Sequence, residues 1–96
     1  MKLKDYDELM IELEENECLL ADGFERALVG ITKGSNPVAV YDINKMVGVL
    51  VEDEDMHPDD AMEYLDFNVI GAWVGEKTPM YIDLDFQRAC TFSSQP

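Results

Sequence analysis

The residue types that support catalysis are few and widely spaced in this chain. The one histidine, His57, lies in an acidic segment, and the two cysteines, Cys18 and Cys90, form neither a Cys-x-x-Cys pair nor a Cys/His zinc spacing. A nucleophilic Ser, Cys or Thr needs a general base within hydrogen-bond reach, and no nucleophile-elbow, zinc-protease or phosphate-loop motif occurs in the sequence. We therefore predict no enzyme activity and no cofactor. A pair of carboxylates that folding brings together is the remaining route to catalysis.

Five possible ligands of a hard cation lie in one acidic segment: Asp53, Asp55, His57, Asp59 and Asp60. Oxygen-rich clusters bind Ca²⁺ or Mg²⁺, but an EF-hand loop requires Gly at its sixth position and Glu at its twelfth. Counted from Asp53, those positions hold Pro58 and Tyr64. We interpret the segment as a solvated acidic loop that caps a helix and predict no metal site. Cation binding by this loop stays open as the alternative.

Acidic residues recur at helical spacing and form two rows. The first row is Asp5, Glu8, Glu12 and Glu15. The second row is Asp59 or Asp60, Glu63 and Asp66, with Glu52 to Asp55 beside it. Helical residues three or four apart hold their Cβ atoms about 5–6 Å from each other, so their carboxylates reach a spacing comparable with successive phosphates of a nucleic-acid strand. The rows predict a surface that occupies the basic groove of a nucleic-acid-binding protein. The alternative is an acidic surface that only keeps the protein soluble.

The overall charge limits the classes of partner. Seven Lys and Arg against 21 Asp and Glu give a formal net charge of −14 in 96 residues. Nucleic-acid affinity depends on Lys and Arg that displace counterions, so this charge excludes direct nucleic-acid binding and equally disfavours anionic membranes. The first residues lead into acids rather than into an apolar signal region, and no apolar stretch approaches about 18 residues. We expect a cytoplasmic monomer or homodimer whose partner is a protein with a basic surface.

Three helices are predicted from apolar residues at steps of three and four. The first runs from Leu3 to about Glu15, and the second from Ile43 to about Val51 with Asp42 as its N-terminal cap. His57-Pro58 starts the third helix, because Pro suits the first helical position. The apolar stripe of the first helix comprises Leu3, Tyr6, Leu9, Met10 and Leu13. That of the third comprises Ala61, Tyr64, Leu65 and Phe67 through Ile70. We expect these stripes to form the core.

Two runs rich in β-branched residues, Ala27 to Thr32 and Pro37 to Tyr41, flank a polar loop and predict a hairpin. A third strand is expected from Met80 to Phe86, with Met80, Ile82, Leu84 and Phe86 on its buried side. The chain, 47% hydrophobic, is expected to fold as one acidic α+β domain over residues 1–90. It would contain a small antiparallel sheet of about three strands packed against two or three helices. Residues 91–96 are expected to form a flexible tail.

Trp73 lies between Gly71 and Gly75, ahead of a Thr-Pro turn. Glycines and Thr-Pro end helices and form turns, so this stretch is interpreted as the exit from the third helix. We interpret Trp73 as a core residue. Its alternative role is that of a binding anchor, since Trp is enriched among interface hot spots.

The segment from Phe67 to Pro79 carries the pattern Phe-Asn-x-x-Gly-Ala-x-x-Gly-Glu-x-Thr-Pro. Together with Ala27 to Ile31 and Pro37 to Asp42, it resembles a group of short, functionally uncharacterised proteins of bacteriophages and prophages. The resemblance implies a setting rather than a mechanism: a phage protein that binds a host protein, such as a defence nuclease or a CRISPR complex, inside the bacterial cell. Candidates for a site within the segment are Asn68, Gly71, Gly75, Glu76 and Thr78, which helix termination and turn geometry explain equally well.

These observations lead to one hypothesis and one alternative. The hypothesis is a non-enzymatic, phage-type anti-defence protein, of the anti-CRISPR or anti-restriction kind, that inhibits its host target as a DNA mimic through acidic helix faces. The alternative is a small regulatory protein-interaction module that acts through Phe67 to Pro79 without mimicry. The candidate partner-binding residues are Asp5, Glu8, Glu12, Glu15, Asp59, Glu63, Asp66, Trp73 and Glu76. The sequence leaves open which partner is bound and which of the two surfaces binds it.

Overall fold

A computed structural model describes residues 5–84. Within this range the chain forms three α-helices and a three-stranded mixed sheet, so the predicted α+β class is confirmed. In chain order the elements are α1 (Tyr6–Glu15), β1 (Leu28–Ile31), β2 (Ala39–Asp42), α2 (Ile43–Asp53), α3 (Pro58–Leu65) and β3 (Met80–Ile82). A short 3-10 helix, Glu25–Ala27, precedes β1, and a π-helical turn, Asp66–Ile70, continues α3. The tail expected at residues 91–96 lies outside the described residues.

The predicted hairpin is formed by β1 and β2, which pair antiparallel with Leu28 opposite Tyr41. The register shifts at Val29, which is the extra residue of a bulge. Thr32 closes the loop, because its backbone N–H donates to the Val38 carbonyl oxygen and its hydroxyl oxygen accepts from the Val38 N–H, each at 2.9 Å. The backbone and the side chain of Thr32 therefore both hold the loop end of the hairpin.

The third strand, β3, departs from the predicted antiparallel sheet, because it pairs parallel to β2. The strand order is β1-β2-β3. The connection from β2 to β3 contains α2 and α3, and a crossover of that length returns the chain to the end of the sheet where β2 began. A hairpin connection cannot do this. The sheet is therefore mixed, with one antiparallel and one parallel pair.

The predicted facing of β3 is wrong for Met80 and Leu84, which are exposed, whereas Ile82 is half-buried. Tyr81 packs against the core, and its ring stacks on Tyr41 with ring centroids 6.2 Å apart. Strict alternation predicts that Tyr81 lies on the exposed side of the strand, together with Asp83. Its aromatic ring is the largest apolar group in β3, so the sheet gains more by covering that ring than by covering Met80. Phe86, the last residue of the predicted strand, lies outside the described residues.

Helix α2 begins directly after β2, and its N-cap is Asp42 as predicted. This buried carboxylate accepts the backbone N–H of Asn44 at 3.0 Å. The apolar stripe reaches the core through Ile43, Met46, Val49 and Leu50. The helix ends at Asp53, slightly later than predicted, and Arg26 pairs with its last turn through Glu52 at 3.1 Å and Asp53 at 2.8 Å.

Helix α1 begins at its N-cap, Asp5, and covers the described part of the first predicted helix. Leu13 is buried, and Leu9 is half-buried against the core. The predicted stripe is wrong for Tyr6, which is exposed, since the helix reaches the core only beyond its first turn. Leu3, the first residue of the predicted helix, lies outside the described residues.

Helix α3 starts at Pro58 as predicted, with His57 as its N-cap. Its buried residues are Ala61 and Leu65. The predicted stripe is wrong for Tyr64 and Phe67, which are exposed. Val69 and Ile70, in the π-helical turn after Leu65, are half-buried against the core, so the predicted stripe continues through them.

The core is formed by residues from α1, the hairpin, α2 and α3. Its largest fully buried side chains are Leu13, Tyr41, Met46 and Leu65. The Tyr41 hydroxyl oxygen accepts the backbone N–H of Ala21 at 2.9 Å, which ties the connector after α1 to the sheet. No helix in the described part of the chain is long and apolar enough to span a membrane.

Candidate partner-binding surfaces

The acidic row on α1 is exposed except at its middle. Asp5, Glu8 and Glu15 are exposed, and Glu12 is half-buried. The Glu12 carboxylate lies 3.3 Å from Nζ of Lys33, which is in the loop of the hairpin. Asp5 is engaged as well, because its carboxylate accepts the Glu8 N–H at 2.9 Å. The four predicted residues therefore lie on α1 or at its N-cap. Lys33 offsets part of the negative charge of this row at Glu12.

The acidic row on α3 has a different electrostatic setting. Asp59, Glu63 and Asp66 are all exposed. No lysine or arginine between residues 5 and 84 forms an ion pair with them. His57 contacts this row at Asp59: its Nδ1 accepts the Asp59 N–H at 3.3 Å and lies 3.9 Å from Asp59 Oδ2. This row thus presents charge that no Lys or Arg of the described chain offsets.

The acidic segment before α3 is partly used to hold the fold. Glu52 and Asp53 pair with Arg26, while Glu54 and Asp55 are exposed. Among residues 5–84, no three His, Cys, Asp or Glu side chains are grouped as a metal ion would require. The segment therefore ends α2 and adds to the acidic surface beside α3.

Large apolar side chains are exposed after α3. Phe67 is 78% exposed, Trp73 is 75% exposed and Val74 is 62% exposed. The core interpretation of Trp73 is therefore wrong. The π-helical turn ends at Gly71, and the chain then runs over the surface, with every residue from 71 to 74 exposed. The alternative role of Trp73, a binding anchor, is consistent with this position.

The Gly-Glu-x-Thr part of the segment is a turn. Gly75 adopts φ +121°, a conformation that favours glycine. Its carbonyl oxygen accepts the Thr78 N–H at 3.1 Å and the Thr78 hydroxyl at 2.6 Å. The same hydroxyl oxygen accepts the Val74 N–H at 3.0 Å. Turn geometry therefore accounts for both Gly75 and Thr78.

This turn is fastened to the loop of the hairpin. The Asn36 side-chain amide donates to the Glu76 carbonyl oxygen at 2.7 Å, and Lys77 Nζ donates to the Pro37 carbonyl oxygen at 3.0 Å. The Glu76 side chain itself is exposed. Two side-chain hydrogen bonds thus fix the position of the segment that carries Trp73.

Cys18 contacts the same loop without being activated as a nucleophile. Its thiol donates to the Pro37 carbonyl oxygen at 3.3 Å. Burial raises the pKa of the Cys18 thiol above 9.0, the nearby Lys77 lowers this pKa, and Glu12 raises it. A raised thiol pKa leaves little thiolate at neutral pH, and the thiolate is the nucleophile.

An apolar hollow of about 500 Å³ lies between α3, the segment after it and the connector that follows α1. Its walls include Leu19, Leu20, Phe24, Tyr64, Val74 and Tyr81. A second hollow of about 310 Å³ shares Asp22, Phe24 and Tyr64 with the first and extends to Leu50 and Met56. We call the two together the Phe24–Tyr64 groove.

The groove was missed by sequence reasoning. In the connector after α1, Leu19 and Leu20 are adjacent apolar residues, and both are exposed. That pair was the available signal. Among the five candidates within the phage-like segment, Asn68 and Thr78 line the groove, whereas Gly71, Gly75 and Glu76 do not.

Comparison with protein-family models, curated proteins and solved structures finds no match for this chain. The resemblance to phage proteins therefore stays a prediction that depends on the residues quoted for it. Function is inferred from the two kinds of exposed surface, acidic and apolar.

Proposed function

We propose that this protein is a non-enzymatic inhibitor that binds a nucleic-acid-binding host protein through its acidic helix faces, with the α3 face as the principal contact. The observation that carries this proposal is the absence of any Lys or Arg ion pair to Asp59, Glu63 and Asp66 within residues 5–84. Carboxylates without a Lys or Arg partner in the described chain are available to pair with the basic groups of a partner.

The geometry of α3 supports mimicry of a phosphate backbone. A rise of about 1.5 Å per residue spaces Asp59, Glu63 and Asp66 along about 10 Å of the helix axis. The α1 face is the secondary contact, since Lys33 already neutralises Glu12. Complementary fields of this kind give fast, salt-sensitive association. The resemblance of residues 67–79 to phage proteins supports a host-defence target, a nuclease or a CRISPR complex in the bacterial cytoplasm.

Affinity capture from host lysate tests this proposal when the captured protein is eluted by salt steps and by competing duplex DNA. The purified target is then titrated with the variant D59K/E63K/D66K and with E8K/E12K/E15K. We expect the α3 variant to lose binding and the α1 variant to be weakened less. Release by DNA and by salt is expected for the wild-type protein, because one basic groove would serve both ligands.

The control changes the same number of charges away from both faces, as Asp7→Lys, Glu14→Lys and Glu17→Lys. All three residues are exposed on or directly after α1. This variant is expected to keep most of its affinity. Equal affinity of the wild-type protein and both face variants, with circular dichroism unchanged, would contradict the proposal.

A second candidate function is the protein-interaction module that acts through Phe67 to Pro79. The exposure of Phe67 and Trp73 favours it, because a small domain has few large apolar side chains to leave in water. Substituting Trp73→Ala and Glu76→Ala separates the two candidates. Loss of target binding with an intact fold and with no competition by DNA would favour this module over mimicry.

A further inference from the structure

The Phe24–Tyr64 groove is lined mostly by apolar side chains. Its two hollows, of about 500 and 310 Å³, share Phe24 and Tyr64 in their walls. Leu19, Leu20 and Val74 line it and are exposed to solvent. A continuous exposed apolar surface of this kind marks an interaction site more often than a scattered one.

The charges of the groove have one sign. Among residues 5–84, the charged side chains that line it are Asp22, which lines both hollows, and Glu54. Lys77, which neighbours the lining residue Thr78, is turned away because its Nζ donates to the Pro37 carbonyl oxygen. Glu63 and Asp66 are sequence neighbours of Tyr64 and Leu65 but line neither hollow. A bound segment would therefore contact mostly apolar side chains and the carboxylates of Asp22 and Glu54.

Two aromatic residues are sequence neighbours of residues that line this groove. Phe67 precedes the lining residue Asn68, and Trp73 lies between the lining residues Ala72 and Val74. Large aromatic side chains dominate the energetics of protein interfaces when a partner covers them. The turn at Gly75 to Thr78 and its hydrogen bonds to the hairpin loop hold this wall in place. The site is thus substantially built before a partner arrives.

We propose that the Phe24–Tyr64 groove binds a short amphipathic segment of a partner protein, with apolar side chains in the hollows and Lys or Arg residues toward Asp22 and Glu54. Helix-in-groove recognition combines an apolar contact with flanking charge in this way. The inference rests on the second candidate function and not on nucleic-acid mimicry. A second copy of this chain is the poorer occupant, because each copy carries a net charge of −14.

A synthetic peptide tests the inference with the full-length protein. The peptide has about 14 residues, or about 21 Å of helix, with Leu at steps of three and four and Lys elsewhere. Trp73 is the only tryptophan and lies between the lining residues Ala72 and Val74, so its emission is the signal to follow on titration. We expect a blue shift on titration, and about tenfold weaker binding both for the peptide with Glu in place of Lys and for the peptide with Ser in place of Leu.

Two variants of the protein test whether the peptide binds in the groove. Val74→Lys places a cation in the wall of the groove and is expected to weaken binding about tenfold. Tyr6→Lys makes the same charge change at an exposed apolar residue on α1, outside the groove, and is expected to bind as the wild-type protein does. Equal binding by the two variants, or equal binding of the Lys and Glu peptides, would overturn the proposal.

Sedimentation of the free protein adds a further outcome. A monomer that binds the peptide supports the proposal. A dimer that Val74→Lys dissociates would identify a second copy as the occupant and overturn it. The peptide experiment involves no host target, so it can fail while α3 still acts as a mimic. Conversely, the α3 charge-reversal experiment can fail while the groove still binds the peptide.

Discussion

Two apolar regions of this molecule differ in what the fold does with them. On α2, Met46 and Leu50 are buried in the core. In the segment after α3, Phe67, Trp73 and Val74 are exposed. Burying one such side chain stabilises a protein by about 1.5–3 kcal/mol relative to leaving it in water. A small domain that leaves this stabilisation unused has apolar surface available for a partner, and here that surface borders a groove.

The difference is largest between Leu65 and Phe67, which are two residues apart. Leu65 is 0% exposed and Phe67 is 78% exposed. Leu65→Ala is expected to lower the free energy of unfolding by about 2–5 kcal/mol, because it removes apolar contacts and leaves a cavity. Phe67→Ala is expected to change it by less than about 0.5 kcal/mol. Urea unfolding followed by circular dichroism measures both. A comparable loss for the two variants would mean that Phe67 is buried in solution, and the contrast between the regions would fail.

The caps of α2 and α3 extend the comparison to polar residues. Asp42 is buried and caps α2 at 3.0 Å, whereas His57 is exposed and caps α3 at a longer 3.3 Å. Asp42→Ala is expected to lower the free energy of unfolding by about 1 kcal/mol. His57→Ala is expected to lower it by a smaller amount, since water replaces an exposed cap more readily. Thermal unfolding of the two variants ranks them, and a larger loss for His57→Ala would contradict the ranking.

The parts of the fold that depend on local chemistry could be predicted from the sequence. The hairpin follows from two β-branched runs around a polar loop. The starts of α2 and α3 follow from Asp42 and Pro58, because a cap and a first-turn proline act within a few residues. The exposed acids of α1 and α3 likewise follow from helical spacing, and the described structure places them on those helices.

The parts that depend on distant segments could not be predicted. The parallel pairing of β3 with β2 is decided by how the whole connection through α2 and α3 returns to the sheet. Trp73 lies beyond the end of the π-helical turn, in a surface segment that is hydrogen-bonded to residues of the hairpin loop 40 positions away in the sequence. The groove joins the connector after α1 to the segment after α3, so its walls become neighbours only on folding.

The buried tyrosines give the core region a pH dependence. Burial raises the pKa of Tyr41 above 10.0, although the hydrogen bond from Ala21 partly lowers it, and burial also raises the pKa of Tyr81. The folded state therefore holds these protons more tightly than the unfolded state does. Their contribution to stability is complete below pH 10.0 and is lost as the pH rises through the folded-state pKa values.

Urea unfolding at neutral pH and above pH 10.0 measures this loss. Tyr41→Phe is expected to lower the stability at neutral pH, because it leaves the Ala21 N–H without its partner, and to flatten the alkaline decline. Tyr81→Phe is the matched variant, expected to flatten the decline with a smaller cost at neutral pH. If the loss of stability at alkaline pH is unchanged in both variants, other titratable groups cause it.

Trp73 provides the test with the smallest expected signal, and it probes the exposed region alone. At 75% exposure, the indole is already largely in water in the folded state. Its emission maximum and its quenching by acrylamide should therefore change little on unfolding in urea, while circular dichroism reports the loss of the helices. Because this is the only tryptophan, no other residue contributes to the signal. A large red shift on unfolding would show that Trp73 is covered in the free protein, by a second copy if the shift varies with protein concentration and by this chain if it does not. Either result would remove the contrast between the two apolar regions, since both would then be buried.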